Sequence, residues 1–247
     1  MSTRTSCDRA VSAAAAFTLT FALVVAVVGV VYVAGFDSLN QIRNVEATES
    51  GDRAMQGVAE TFDEIHRDNV PGRTLEIGVN GGSINTYESS LAVTVNTSSR
   101  NTTYDVETNA FVLQRSEDRA ELIYEGGALF RVSRPGTVLK HRPVATCSDG
   151  VALLSFVELE GSVSASPSGT VQLVGRSGET GTYFPNQYNR SSDAVNVTVN
   201  VTDTYYDRSW RAYFEQRPGW TGSGGEYRCE ADQAFVRRSV IELEALF

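Results

Sequence analysis

The chain has 247 residues, with 21 Lys and Arg against 30 Asp and Glu, a net charge of −9 at pH 7. An acidic chain repels phosphate backbones, so nucleic acid is excluded as a favoured partner. The basic residues are arginines except for Lys140. A lysine-poor acidic surface suits a high-salt, halophilic setting, where screening makes a large like-charge surface tolerable, although a GC-rich genome alone also exchanges Lys for Arg.

Residues 1–9 form a short leader carrying Arg4, Asp8 and Arg9. Residues 10–36 then hold no charge, and a helix needs about 20 apolar residues to cross the hydrocarbon core. In lipid the backbone must satisfy its own hydrogen bonds, so this run is read as a transmembrane helix. Tyr32 and Phe36 lie one turn apart near its outer end, where aromatics favour the interface. A cleaved secretory signal is the rival reading, but its apolar stretch runs about 7–15 residues before a small-residue cleavage site. With Arg4 and Arg9 before the span and acids such as Asp37 and Glu46 after it, the positive-inside rule places the N-terminus in the cytoplasm. The expected location is therefore the cell membrane, single-pass, with the C-terminal part extracellular.

Residues 37–70 read as an amphipathic helical stalk. Leu39, Ile42 and Val45, then Met55, Val58, Phe62 and Ile65, recur at spacings of three and four. Gly51 and Gly57 weaken the helix and would allow a kink or break near residues 50–52. Pro71-Gly72 stops it, with its end near Asn69.

Residues 71–247 read as a β-rich domain, with short runs of Val, Thr, Ile, Leu and aromatics between turn signals. Strands are expected near 75–79, 91–96, 110–115, 121–124, 128–133, 138–142, 153–160, 170–175 and 195–201, then at 226–229 and 239–247. Strict alternation over 195–201 puts its valines on one face and polar groups on the other. One late helix is expected from Thr204, with Asp207 completing a capping box and Tyr206, Trp210 and Tyr213 at helical spacing. Residues 222–225 read as a flexible glycine loop. The fold class is thus α+β: a long N-terminal transmembrane and amphipathic helix followed by an antiparallel β-rich extracellular domain with one late short helix.

Two cysteines, Cys147 and Cys229, fall in the expected exterior domain, and Cys7 falls in the leader. An oxidising exterior favours a Cys147–Cys229 disulfide, the alternative being two separately buried thiols. Asn-x-Ser/Thr sequons stand at Asn96, Asn101, Asn189, Asn196 and Asn200 and mark possible N-glycosylation, although a chain rich in Asn, Ser and Thr produces several by chance. Modification of both Asn196 and Asn200 requires their strand face to be solvated.

No catalytic constellation is read, and no cofactor or metal site. His66 and His141 have no metal-ligand spacing and are expected at the surface. Thr221-Gly222-Ser223-Gly224-Gly225 lacks the strand-to-helix context of a nucleophile elbow. Glu158/Glu160 and Glu242/Glu244 alternate as on a solvated strand face. The aromatics Tyr205, Tyr206, Trp210, Tyr213, Phe214 and Trp220 are expected to pack in the core rather than stack on a sugar or partner. Ala22, Ala26 and Gly29 are small residues that would let another helix approach within the span.

The junction Asp8-Arg9-Ala10-Val11-Ser12, a charged leader running straight into the apolar helix and then an amphipathic segment, resembles the N-terminus of archaeal type IV pilins and pilin-like proteins. With Val30-Val31-Tyr32-Val33-Ala34-Gly35-Phe36 before the stalk, the layout looks like a haloarchaeal family of membrane-anchored surface proteins of uncharacterised function. The motif-level match covers about residues 8–70. The resemblance implies processing by a prepilin-type peptidase at Arg9, Ala10 and Val11, a pilin-like fold, and packing of the apolar helix against other pilin-like subunits instead of membrane lipid. Many pilins carry an acid a few positions into the span, where this chain has Ala13, Ala14, Ala15 and Ala16. The expected function is structural or assembly-related and non-enzymatic; the alternative is a monomeric anchored binding module or adhesin for a glycan or protein.

Overall fold

The structure is a computed structural model that describes residues 7–68, 70–79, 82–115, 120–134, 136–165 and 169–246, without the side chains of 7–14 and 34–48. The chain divides into two compact units, residues 1–48 and 49–247. A single α-helix, α1 (Cys7–Asp68), supplies the described part of the first unit and enters the second. The helix runs unbroken through 50–52, where the glycine would have allowed a break. Gly51 is buried instead, and a Cβ there would meet Arg115 Nη1 at 2.9 Å and Leu113 Cδ2 at 3.5 Å. The glycine thus serves close approach of the helix to a strand, not a bend.

The second unit contains sixteen described strands in three sheets. Sheet A runs β1 (Gly72–Gly78), β12 (Thr170–Phe184), β16 (Gln233–Leu246), β10 (Val151–Glu160), β9 (Val144–Ser148). Sheet B runs β11 (Ser164–Ala165), β2 (Gly82–Tyr87), β5 (Ala110–Arg115), β6 (Glu121–Glu125), β7 (Ala128–Ser133), β8 (Gly136–His141). Sheet C runs β14 (Trp220–Ser223), β15 (Glu226–Glu230), β13 (Ala194–Asn200), β3 (Leu91–Thr97), β4 (Asn101–Val106). Pairing is antiparallel except that β10 and β16 run parallel, from Val151↔Gln233 to Glu160↔Glu242. The expected antiparallel arrangement is corrected at that one pair: the crossover between these strands carries β11, β12, β13, α2 (Asp207–Glu215), β14 and β15, so the chain returns in the same direction.

Three tight hairpins use residue pairs with positive φ. They are Gly126-Gly127 between β6 and β7, Asp149-Gly150 between β9 and β10, and Gly224-Gly225 between β14 and β15. Such pairs match the twist of the flanking strands. The expected flexible loop at 222–225 is accordingly strand end plus turn.

Two main cores follow from strand alternation. One face of β10 presents Ser155, Val157 and Leu159 toward α1; the other presents Ala152, Leu154 and Phe156 toward sheet C and α2. In the first core Met55, Val58, Phe62 and Ile65 of α1 meet Leu173 and Ile241 of sheet A and Phe111, Leu122 and Tyr124 of sheet B. Burial of each large side chain contributes about 2 kcal/mol. Gly175 permits this contact, since a Cβ on it would lie 3.2 Å from Phe62 Cε1 and 3.3 Å from Ile65 Cδ1. Asp52 adds ion pairs to Arg131 and Lys140, both at 2.8 Å. The second core gathers Trp210, Tyr213, Phe214 and Trp220 with Val93, Val95, Val197 and Tyr227.

Two local expectations change. α2 starts at Asp207 without a capping box, because Thr204 Oγ1 donates to Val201 O at 2.8 Å. Within β13, Val197 and Val199 are buried but Val195 is 49% exposed, because the register with β3 shifts between Ala194 and Asn196.

Candidate functional site

Residues Ala15–Val33 of α1 have a mean hydropathy of 2.5 and are exposed throughout. Length and composition suit a membrane span or a signal sequence. Both threonines of the stretch bond back within the helix: Thr20 Oγ1 donates to Ala16 O at 2.8 Å, and Thr18 Oγ1 to Ala15 O at 3.2 Å. Phe17 and Phe21 stack one turn apart. Arg9, Ala10 and Val11 lie within the bounds of α1, but their side chains are outside the described residues, as are residues 1–6.

Cys147 and Cys229 form a disulfide, with Cα atoms 5.9 Å apart, tying β9 of sheet A to β15 of sheet C. It closes 82 residues of chain, for which loop entropy gives about 4 kcal/mol. The expected pairing is present.

Four of the five sequon asparagines come together on one face of sheet C. Asn101, Asn96 and Asn196 are direct neighbours across β4, β3 and β13, and Asn200 lies four residues along β13. Thr103, Thr94 and Thr198 form the next rung, with Thr94 Oγ1 and Thr103 Oγ1 2.9 Å apart. Their availability differs. Asn196 is 6% exposed and accepts from Asn96 Nδ2 at 2.6 Å, so the solvated face that modification of Asn196 requires is not present there. Asn101 is exposed, and Asn200 Oδ1 accepts from Thr202 N and Oγ1 of its own sequon at 2.9 and 2.7 Å. Asn189 sits apart, its Nδ2 3.4 Å from Asn186 Oδ1.

Both histidines depart from the expected surface positions. His66 is 5% exposed on the buried face of α1, with Nε2 2.9 Å from Ser155 Oγ, while its Nδ1 has no hydrogen-bond partner among the described residues. Burial, then the charge of Arg237, lowers its pKa below 6.5, so it is held neutral at pH 7. His141 Nε2 lies 3.0 Å from Asp63 Oδ2 and is only part-exposed. These pairs fasten α1 to β10 and β8.

Sequence reasoning missed two buried acids. Glu125, fully buried, accepts from Ser89 Oγ and, at 3.1 Å, from Tyr205 N on Oε1, and from Trp210 Nε1 at 2.7 Å on Oε2. Burial raises its pKa above 4.5, opposed by these donors. Its place before Gly126-Gly127 gave only a turn signal. Glu158 is 6% exposed, contrary to the expected solvated pair; Glu160 and the pair Glu242/Glu244 are exposed as expected. Tyr183 OH donates to Glu158 Oε1 at 2.9 Å, Arg238 Nη1 approaches Oε2 at 3.3 Å, and burial with this bond pushes the Tyr183 pKa up to about 12. A cleft of about 500 Å³ lined by Glu88, Glu107, Asp203, Asn109, Ser89 and Ser90 opens beside Glu125. Among the described residues, no three His, Cys, Asp or Glu form a group able to hold a metal ion.

The aromatics of α2 are occupied by packing. Trp210 and Phe214 are fully buried, Tyr213 and Trp220 are 6% and 7% exposed, and Phe214 stacks on Tyr227 at 5.2 Å. Tyr205 and Tyr206 pack partly buried on Ala110, Val112 and Ile123 of sheet B, with Tyr205 stacked on Tyr87 at 4.7 Å.

No curated protein and no solved structure matches this chain. A family of unknown function, DUF7289, matches residues 9–244, from just before the apolar helix through nearly all of β16. The chain belongs to that family.

Proposed function

We propose that the protein is a single-pass, membrane-anchored, pilin-like cell-surface protein with a structural or assembly role and without enzymatic activity. The observation that supports this reading is α1 itself: one element whose Ala15–Val33 stretch is apolar and exposed, and whose later face, Met55 to Ile65, is built into the core of a β-rich domain. An apolar surface of this size, left bare, needs lipid or another helix against it. On this reading the leader is cytoplasmic, the β-rich unit extracellular, and the apolar helix passes between membrane lipid and contact with other subunits. The disulfide and the exposed Asn101 accord with an exterior location. The alternative, an anchored monomeric binding module, needs a surface other than the α2 aromatics, which the core consumes.

Two measurements test the proposal. N-terminal sequencing of the protein from membranes is expected to begin at Val11, whereas an intact leader through Arg9 contradicts peptidase processing. Shearing of cells is expected to release the protein in high-mass fibres; release only by detergent, as monomer, supports the binding module instead.

A further inference from the structure

A pocket of about 180 Å³ lies between α2 and the β7–β8 hairpin, and none of the sequon asparagines lines it. Its inner wall is apolar: Phe130 and Tyr213 are 1% and 6% exposed, and Leu139 is half-buried beside them. Tyr213 is fixed, its hydroxyl donating to Ala145 O at 3.1 Å. Two guanidiniums complete the lining. Arg217 lies 4.8 Å over the Tyr213 ring, and Arg142 reaches the same pocket from the end of β8. The positive charge of both is felt at Tyr213, where it opposes the rise in pKa that burial imposes.

Neither arginine pairs with a carboxylate among the described residues, whereas Arg131, Arg176, Arg211, Arg228 and Arg238 all do. In a chain with 30 acids to 21 bases, two such cations converging on one pocket leave a positive site in a negative surface. Polar groups surround them. Ser209 Oγ and Thr137 Oγ1 lie 3.4 Å apart, and Gln216 adds an amide. The volume equals about six water molecules, the scale of one sugar ring.

We propose that this pocket binds a hydroxylated carboxylate of monosaccharide size, a uronic acid unit of an acidic glycan. Guanidinium forks match a carboxylate in two parallel hydrogen bonds, which selects it over a neutral sugar. The half-buried Leu139, backed by Phe130 and the edge of Tyr213, meets the apolar side of the ring, and Thr137, Gln216 and Ser209 meet its hydroxyls. The site requires neither processing of the leader nor filament formation.

The test is calorimetric titration of the detergent-solubilised full chain with D-glucuronate, D-glucose, benzoate and inorganic phosphate at matched ionic strength. Saturable glucuronate binding, at least tenfold tighter than each of the other three, is the expected result. Arg142→Gln and Arg217→Gln are each expected to weaken it at least tenfold; Arg142 is exposed, so its variant keeps the test valid if Arg217→Gln disturbs the end of α2. Absence of saturable glucuronate binding overturns the proposal, as does equal or tighter binding of glucose, benzoate or phosphate. Undiminished affinity in Arg142→Gln also overturns it, by removing the ligand from this pocket.

Discussion

Glu125 is fully buried with hydrogen-bond donors at both carboxylate oxygens, and those donors come from two separate segments: Ser89 before β3, and Tyr205 and Trp210 at the entry to α2 and within it. It therefore fixes where α2 sits against sheets B and C. Glutamine offers one acceptor oxygen where the donors need two, so Glu125→Gln should cost about 1–3 kcal/mol. The pH dependence has a definite sign. Because burial raises the folded pKa above 4.5, folding favours the neutral acid, and stability is lost as pH rises from 4.5 through that raised value. Glu158, also raised by burial, and His66, lowered by it, titrate in the same window, so the readout is the difference between wild type and Glu125→Gln: urea unfolding should show the wild-type stability falling relative to the variant as pH rises from 4 to 7, and a difference independent of pH would contradict the assignment to Glu125. Little of this was legible in sequence. Glu125 precedes two glycines and reads as a turn residue, and Glu158 alternates with Glu160 as on a wet face, whereas partners distant in the chain, Trp210 and Arg238, decide that both are buried.

At the scale of elements, α1 and its contact with sheet A were the most legible. Met55, Val58, Phe62 and Ile65 keep the helical period, and the structure buries all four. Gly51, read as a weakness, gives the helix room against Leu113. Strand ends read less well. β12 continues to Phe184 through Gly178 and Gly181, residues that signal turns locally, because its pairing with β16 extends that far, with register shifts on the way. β4 is polar at alternate positions on an edge, and β9 follows directly on Pro143, so neither gave an apolar run. Gly175 was read only as the end of a strand, yet its missing side chain lets Phe62 and Ile65 reach the sheet. Gly175→Val should push α1 outward and destabilise the β-rich unit by about 1–3 kcal/mol. Thermal unfolding of the detergent-solubilised chain would register the loss, and a midpoint equal to wild type would contradict the close-packing account.

At the scale of the whole molecule, the parallel pairing of β10 and β16 is what the sequence concealed, since it depends on a crossover of more than seventy residues that contributes β13, β14 and β15 to another sheet. The disulfide was legible because two cysteines in one domain leave one intramolecular pairing, and the apolar helix because no charge interrupts it. Four sequons at scattered positions become one face only when β3, β4 and β13 pair. In the proposed anchoring, the apolar stretch Ala15–Val33 lies in the membrane and the β-rich unit outside it. Ser192, exposed in the short 3₁₀ turn before β13, offers a site for the decisive measurement. A Ser192→Cys variant that also carries Cys7→Ser, treated on intact cells with a membrane-impermeant maleimide, should be labelled to the same extent as after lysis; labelling only after lysis would contradict that topology.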